Sequence, residues 1–225
     1  SEVDMEFHSG VEEITKMNIP TTDLIHGFPI FTGHINIARY LAMYEAFKMV
    51  EGISGHYADV GTFKGSSFLF IAKLIKLFEP HTISQVHAFD WFKKINPDIK
   101  DQEGNCLGSY ESLKKLVDVQ KLSDVAVIHQ MDLTSELSEF ANDPVYAPIY
   151  YKYVFLDAGF KDVLEKTVPF FWDRLLTGGI ILFDHFASDV KAETEIIKSV
   201  FPKNTIIQNF PFARQPMGYV VKKAS

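Results

Sequence analysis

The sequence predicts a single α/β domain built on a mostly parallel sheet with helices on both faces. Apolar strand-like segments alternate with helix-like segments, and the middle strands are apolar throughout, which is typical of parallel strands buried on both sides. The last two strand-like segments are joined by a connection too short for a parallel crossover, so they must pair antiparallel. A chain of 225 residues is long enough for one such domain.

The individual elements follow from hydrophobic periodicity and from the positions of glycine and proline. Seven strands are predicted, at 56–60, 84–89, 125–130, 152–156, 180–183, 205–210 and 217–221. Helices are predicted at 32–51, 66–79, 109–119, 135–141, 162–176 and 190–200. In the fifth helix, Pro169 is expected to cause a kink or to start a second segment.

Two segments lack a regular pattern. Residues 1–31 show little periodicity and are expected to form an irregular N-terminal arm, which leaves 32–225 as the single domain. Residues 93–108 are polar and are interrupted by Pro97 and two glycines. Because a loop of that length inside a compact domain is usually functional, we expect it to be a lid.

Composition and charge argue against several classes of partner. The net charge of −7 disfavours nucleic acid and anionic membranes, which select for basic surfaces. The single cysteine, Cys106, has no partner for an internal disulfide, and no stretch approaches ~18 apolar residues. The acidic N-terminus does not have the order of a signal peptide. These observations predict a soluble, cytoplasmic protein.

Aspartates lie at the ends of four predicted strands. They are Asp59, just before a glycine-containing turn, and Asp90, Asp157 and Asp184. In open α/β sheets, ligands bind beyond the carboxyl ends of the strands. One such aspartate often only caps the next turn, but four in one sheet predict a site for a polar ligand.

The first turn, Asp59-Val-Gly61-Thr-Phe-Lys-Gly65-Ser-Ser67, differs from the dinucleotide fingerprint G-x-G-x-x-G, which has glycine where Asp59 stands. A carboxylate there disfavours pyrophosphate and suits a ligand that carries an amine. Asp90 lies 25 residues beyond Gly65, where an acidic residue accepts hydrogen bonds from ribose hydroxyls. A cationic nucleoside without phosphates, S-adenosylmethionine, fits both features.

The chain resembles the class I S-adenosylmethionine-dependent methyltransferases, in particular the macrocin O-methyltransferase (TylF-like) family. The resemblance spans about 35–221 and depends on Ala58-Asp59-Val-Gly61-Thr-Phe-Lys-Gly65-Ser-Ser67, Ala88-Phe-Asp90-Trp-Phe92, Phe155-Leu-Asp157-Ala158 and Gly178-Gly179-Ile-Ile-Leu-Phe-Asp184-His185. It implies a Rossmann-like, doubly wound fold, a homodimer, and methylation of a hydroxyl on a sugar or glycosylated small molecule.

The same resemblance implies roles for single residues. The methionine part of the methyl donor would be held by Asp59, Gly61, Thr62, Gly65 and Ser66. Asp90 would hold the ribose, and Trp91 and Asp132 would lie near the adenine, although the match at Asp132 is loose.

A metal site is a further expectation. Similar sugar O-methyltransferases bind magnesium at positions that correspond to Asp157 and to Asp184-His185. Neighbouring strands lie ~4.8 Å apart, so carboxylates that follow two of them could share a hard cation that lowers the pKa of a substrate hydroxyl. His185 departs from the family pattern, because imidazole suits zinc, iron or nickel better than magnesium. A magnesium site, another metal, a metal-free site with His185 as general base, and a purely structural His185 all remain open.

Other functions remain open as alternatives. They are methylation of nitrogen, a nicotinamide-dependent oxidoreductase, and a binding protein that kept the fold without activity. Asp59 and the absence of a suitably placed Tyr-x-x-x-Lys pair argue against the oxidoreductase. His26 and His34 could be bases but are more typical of surface or capping histidines, and Lys93 could meet an anionic substrate.

Overall fold

The computed structural model describes residues 2–93, 109–158, 161–184, 195, 199–203, 205–216 and 218–224. Six strands form one sheet in this part of the chain, in the order β3-β2-β1-β4-β5-β6. They are β1 His56–Val60, β2 Val86–Asp90, β3 Ala126–Gln130, β4 Tyr151–Leu156, β5 Leu175–Phe183 and β6 Gly218–Val221. All neighbours pair in parallel except β5 and β6, which are antiparallel.

Helices cover both faces of this sheet. The described helices are α1 Glu2–Lys16, α2 Thr21–His26, α3 Phe28–Phe31, α4 His34–Met49, α5 Ser66–Phe78, α6 Tyr110–Val119, α7 Leu137–Asn142 and α8 Lys161–Arg174. Helices α4, α5 and α6 contribute to one buried apolar cluster and α7 and α8 to the other. The prediction of a mostly parallel, doubly wound sheet with an antiparallel C-terminal strand is therefore confirmed.

The alternation of side chains along each strand decides which helices face the strand ends. Tyr57 in β1, Phe155 in β4 and Leu182 in β5 belong to the cluster that contains α4 and α5. Because side chains two residues apart in a strand share a face, the aspartates that come two residues later point to this same side. The three carboxylates of Asp59, Asp157 and Asp184 are thus directed toward α4 and α5.

Several predicted boundaries need correction. The sixth predicted strand, 205–210, is reduced to an isolated antiparallel bridge between Gln208 and Tyr219. Residues 1–31 are not irregular where they are described but contain α1, α2 and α3. Helix α8 continues through Pro169 as one element, so no second segment begins there. Residues 94–108 of the predicted lid and most of the predicted helix 190–200 lie outside the described residues.

Strand β6 covers the outer edge of β5. Its register pairs Ile180 with Val221 and Phe183 with Gly218. The backbone pairing extends past the strand, because the N–H of Gly178 donates to the carbonyl of Lys222 over 2.7 Å, and the N–H of Lys222 donates to Gly179 over 2.9 Å. Among the described strands, β6 is therefore the last one at this side, and β5 is an interior strand.

A buried ion pair closes the opposite, amino end of the sheet. The Lys152 ammonium at the start of β4 donates to both carboxylate oxygens of Glu79, over 2.7 and 2.9 Å. The Tyr57 hydroxyl donates to the same carboxylate over 2.9 Å, and the ammonium lies 4.8 Å from the centre of the Tyr57 ring. All three side chains are buried. This end is therefore occupied by a satisfied charge network.

A pair of stacked histidines lies on the face of the sheet that is opposite to α4 and α5. Nδ1 of His87 is 2.9 Å from Nε2 of His129, and the rings are parallel within 3°. Burial lowers the pKa of His129 to about 4, and burial together with the neighbouring His129 and His56 lowers the pKa of His87 to about 2. Both imidazoles are therefore neutral near pH 7.

Acid is expected to destabilise the protein through these histidines. The unfolded chain takes up protons near pH 6.5, whereas the folded chain does not, so the stability they contribute is complete above pH 6.5 and is lost as the pH falls toward 4. Each histidine lowers the free energy of unfolding by at most about 1.4 kcal/mol for each pH unit in this range. Urea unfolding at several pH values would measure it, with the double variant His87→Phe/His129→Phe as the comparison. Equal slopes in the two proteins would contradict the expectation.

No described helix combines the length and the apolar character that crossing a membrane would need.

Candidate active site

The site is formed where the parallel strands end. Hydrogen bonds continue the ladder by one residue beyond the strands, from the N–H of Asp157 to the carbonyl of Val60 over 2.8 Å and from the N–H of Asp184 to the carbonyl of Leu156 over 2.9 Å. The two aspartates therefore follow neighbouring strands at the same level. This is the adjacency that the sequence predicted.

The turn after β1 is shaped by backbone conformations that favour glycine. Gly61 and Gly65 have φ of 81° and 87°, and Phe63 between them has φ of 49°. A Cβ on Gly61 would lie 2.2 Å from the carbonyl oxygen of Asp157, which is backbone and cannot move aside. A Cβ on Gly65 would lie 2.3 Å from a methyl group of Leu113. Gly61 is thus needed both for its conformation and for the close approach of β4.

A cavity of about 320 Å³ opens beside this turn. Its walls include five of the residues predicted for the site, Gly61, Asp90, Trp91, Asp132 and Asp157. The apolar side chains Met131, Leu133 and Val163 also contribute. The cavity therefore combines an apolar wall with several carboxylates, as expected for a site that binds a nucleoside.

The other predicted residues of the loop do not line the cavity. The hydroxyl of Thr62 is buried and donates to the backbone carbonyl of Asp59 over 2.9 Å. Gly65 precedes α5, and Ser66 begins this helix with its hydroxyl bonded to the hydroxyl of Tyr40 in α4. These residues fix the shape of the loop and attach it to α4.

Two of the cavity carboxylates are held by local hydrogen bonds. Asp90 accepts from the N–H of Phe63 over 2.8 Å and from the N–H of Phe92 over 2.7 Å, one bond to each oxygen. Asp132 accepts from the hydroxyl of Thr134 over 2.6 Å, and this bond is the main cause that lowers the pKa of Asp132. Asp90 thereby ties the glycine turn to the end of β2.

Asp59 has an unusual environment. Its carboxylate is 1% exposed, and neither oxygen has a hydrogen-bond partner among the described residues. Burial raises the pKa of Asp59 to about 7, partly offset by the nearby Ser67 and Thr62. A buried acid without a partner is costly, so it indicates a place where a ligand donor can compensate it.

Arg39 joins the two aspartates that follow β4 and β5. Its Nε donates to Oδ1 of Asp184 over 3.0 Å, and Nη2 lies 3.5 Å from Oδ2 of Asp157. The guanidinium is also 5.3 Å from the centre of the Phe155 ring. Burial opposes the charge of Arg39, but the two carboxylates outweigh it and hold its pKa above the ordinary range.

Comparison with known families decides the class of protein. Residues 58–186, more than half of the chain, match the model of a family described as a methyltransferase domain. The chain belongs to this family. The prediction that the protein is a methyltransferase is therefore confirmed, while assignment to the TylF-like group stays a prediction.

Solved structures with the same fold include several methyltransferases. CalS11, a TDP-rhamnose 3'-O-methyltransferase of calicheamicin biosynthesis, has a TM-score of 0.79 at 19% identity, over 96% of this chain and 94% of CalS11. The O-methyltransferase NovP has a TM-score of 0.64 at 15% identity, over 84% of this chain and 81% of NovP. TomG from Streptomyces achromogenes, solved with S-adenosylmethionine, has a TM-score of 0.52 at 12% identity, over 100% and 97%. No curated protein sequence matches this methyltransferase.

Arg39 is the site residue of the methyltransferase that sequence reasoning missed. The apolar periodicity that predicts the helix at 32–51 includes Leu41, but this side chain is 50% exposed. The buried face of α4 is instead formed by Ala42, Met43, Ala46 and Phe47. Arg39 lies three and four residues before the first two of these, which is the spacing of one helix face. An arginine at a core-facing position is the signal that would have found it.

The predicted metal ligands are only partly described. Asp157 and Asp184 lie side by side, but His185 lies outside the described residues. No group of three His, Cys, Asp or Glu side chains in the described ranges is arranged to hold a metal ion. The cation next to both aspartates is Arg39, so these carboxylates do not fit a magnesium site while Arg39 is in place.

Proposed function

We propose that this methyltransferase transfers the methyl group of S-adenosylmethionine to a hydroxyl oxygen of a sugar or a glycosylated small molecule. The observation that carries the proposal is the cavity of about 320 Å³ at the carboxyl ends of the strands. It brings together Gly61, Asp90, Asp132 and Asp157, which come from four different strand ends. This grouping of residues is the one that a nucleoside methyl donor requires.

Each part of the donor has a suitable partner in the cavity or beside it. Asp90 keeps lone pairs for ribose hydroxyls after it has accepted one N–H at each oxygen. Trp91 and the wall formed by Met131 and Leu133 suit the adenine. The unpartnered carboxylate of Asp59, beside the glycine turn, suits the α-amino group.

The chemistry requires little from the protein beyond positioning. The acceptor oxygen forms a bond to the methyl carbon as the carbon–sulfur bond breaks, which gives a methyl ether, S-adenosylhomocysteine and a proton. Holding nucleophile, carbon and sulfur in line supplies most of the acceleration. Asp157 lines the cavity and is the described carboxylate best placed to receive the proton. His185, which the sequence suggested as a general base, lies outside the described residues.

The choice of oxygen and of a sugar is supported by the relatives in structure. CalS11 is a TDP-rhamnose 3'-O-methyltransferase, and NovP and TomG are O-methyltransferases. We place the acceptor beside Asp157. This side chain lines the cavity and shares its partner Arg39 with Asp184. A homodimer and a cytoplasmic location are kept as parts of the proposal.

Two measurements test the proposal. In thermal unfolding, S-adenosylmethionine at ~100 times its Kd should add about 2.7 kcal/mol, which is roughly 5–10 °C for a chain of this size. NADH should give no shift. Transfer of a radioactive methyl group to a panel of nucleoside diphosphate sugars and of free sugars then tests the acceptor. Binding of NADH alone would refute the proposal, and transfer only to amines would replace O-methylation by N-methylation.

The pKa of Asp59 gives a pH test of the donor site. Because this pKa is about 7 in the free protein, Asp59 is protonated below pH 7 and cannot pair with the α-amino group. The Kd for S-adenosylmethionine should therefore rise by up to about tenfold per unit as the pH falls below 7, and be constant just above it. Isothermal titration calorimetry of the wild type and of Asp59→Asn measures this, and the variant should lose the dependence.

Asp132→Asn is the matched control for that measurement. The hydrogen bond from Thr134 holds the pKa of Asp132 below its ordinary value, so Asp132 stays ionised over the same range. Any loss of affinity in this variant should be equal at every pH. A wild-type Kd that is independent of pH would remove Asp59 from the site.

A further inference from the structure

The cluster of Arg39, Asp157 and Asp184 combines two negative charges with one permanent positive charge. A guanidinium stays protonated at every physiological pH and presents donors in a rigid plane, so it can bind two carboxylates at once. Here Nε binds Asp184 over 3.0 Å while Nη2 faces Asp157 at 3.5 Å. The two carboxylates are thus bridged by a group of this chain itself.

Arg39 is held in this place by its surroundings. Its side chain is 19% exposed and that of Asp184 only 3%. The guanidinium lies over the ring of Phe155, and the next residue along α4, Tyr40, packs on Phe70 and bonds to Ser66. Withdrawal of the Arg39 side chain would break its contact with Phe155 and leave the nearly inaccessible Asp184 without the guanidinium that it faces.

A divalent cation and Arg39 would compete for the same two carboxylates. Magnesium needs near-octahedral oxygen ligands at about 2.0–2.1 Å, and a guanidinium bound to the same oxygens lies within a few ångströms of that position. At such a distance the two positive charges repel each other strongly in a buried site. Metal binding therefore requires that Arg39 leave, and the packing around it opposes this.

We infer that Arg39 is the built-in cation of this site, so that the enzyme orients Asp157 and Asp184 without a divalent metal. Arg39 is a positioning residue, because it acts through the two carboxylates and not on the acceptor directly. The inference rests on the proposed methyl transfer, which it makes independent of metal. Loss of Arg39 should therefore change metal binding and kcat, which the loss of a purely structural residue would not do.

Binding of Mn²⁺, measured by the loss of the electron paramagnetic resonance signal of the free ion, tests the inference without any turnover. The wild type should not bind Mn²⁺ stoichiometrically. Arg39→Met removes the cation and leaves both carboxylates, so it should gain one Mn²⁺ per chain, and Arg39→Met/Asp184→Asn should lose it again. Stoichiometric binding to the wild type that Asp184→Asn abolishes would overturn the inference.

Activity supplies the second readout. EDTA should leave wild-type transfer unchanged, while Arg39→Met should lower kcat by about 100-fold or more, with the Kd for S-adenosylmethionine nearly unchanged. Added Mg²⁺ should restore part of the kcat. Arg39→Lys keeps the positive charge and is the second variant to measure if Arg39→Met does not fold. It should exclude Mn²⁺ and retain more kcat than Arg39→Met. Full activity in folded Arg39→Met, or loss of wild-type activity in EDTA, would refute the role of Arg39.

Arg174→Met is the matched control. Arg174 also lies over a phenylalanine ring, 4.3 Å from the centre of Phe170, but it ends α8 on the other face of the sheet. It should change neither Mn²⁺ binding nor kcat. If the wild type methylates no sugar, the proposed function fails while the Mn²⁺ measurement still decides the assignment of Arg39.

Discussion

Replacement of Gly61 by alanine is expected to abolish binding of S-adenosylmethionine and to cost roughly 2–4 kcal/mol of stability. The new Cβ would lie 2.2 Å from the carbonyl oxygen of Asp157, at a φ of 81° that alanine rarely adopts. The turn after β1 and the end of β4 must therefore separate. Thermal unfolding should show a decrease of about 5–15 °C, and calorimetry should show no binding of the methyl donor.

Gly52→Ala separates the effect of the backbone conformation from the effect of the close contact with Asp157. Gly52 has the same φ of 81°, but no described atom lies within 4 Å of its added Cβ. It should lose only the smaller, conformational part of the stability and bind the donor normally. If Gly61→Ala behaves like Gly52→Ala, the close approach of the turn to Asp157 does not matter for binding.

Breaking the ion pair at the amino end of the sheet is expected to have the second large effect. Lys152→Met leaves the buried carboxylate of Glu79 without its cation, which typically costs 3–5 kcal/mol. Urea unfolding measures this loss. Affinity for S-adenosylmethionine in the protein that remains folded should not change, because this pair lies at the opposite end of the strands from the cavity.

Two comparisons make this result specific. Lys76→Met breaks an exposed pair with Asp124 and should cost less than about 1 kcal/mol. The double variant Glu79→Gln/Lys152→Met removes both charges and keeps an acceptor for the hydroxyl of Tyr57, so it should recover much of the stability. A double variant as unstable as Lys152→Met would show that volume, and not the unpaired charge, is what matters.

Most of the sheet could be predicted from the sequence because its strands are short apolar runs with clear ends. The predicted range of β1 agrees with the structure in full, and the ranges of β2, β3 and β4 agree within two residues. The prediction of a strand at 205–210 was wrong because a short run of β-branched residues only indicates that a strand is possible. It does not show that a partner is aligned over more than the single bridge at Gln208. Helices α2 and α3 were missed because they have only six and four residues and none of them is buried, so they are too short to show a helical period.

The cavity residues could be predicted for a similar reason. Gly61, Asp90 and Asp157 follow strands directly, so the position of a strand end in the sequence also gives its position in space. Arg39 comes from helix α4, which lies far from Asp157 and Asp184 in the chain. Its contact with Asp184 spans 145 residues and depends on which face of α4 is buried, which the approximate periodicity of this helix did not reveal.

The pairing of β5 with β6 has a consequence for biosynthesis. The N-terminal five strands can form a parallel sheet as soon as β5 has been made, but its outer edge stays open until residues 184–217 and then β6 have been synthesised. During that interval the nascent chain exposes an apolar strand, Ile180 to Phe183, with unpaired backbone groups, which is the template on which chains aggregate. Truncation before Gly218 should therefore send the protein to chaperones or inclusion bodies.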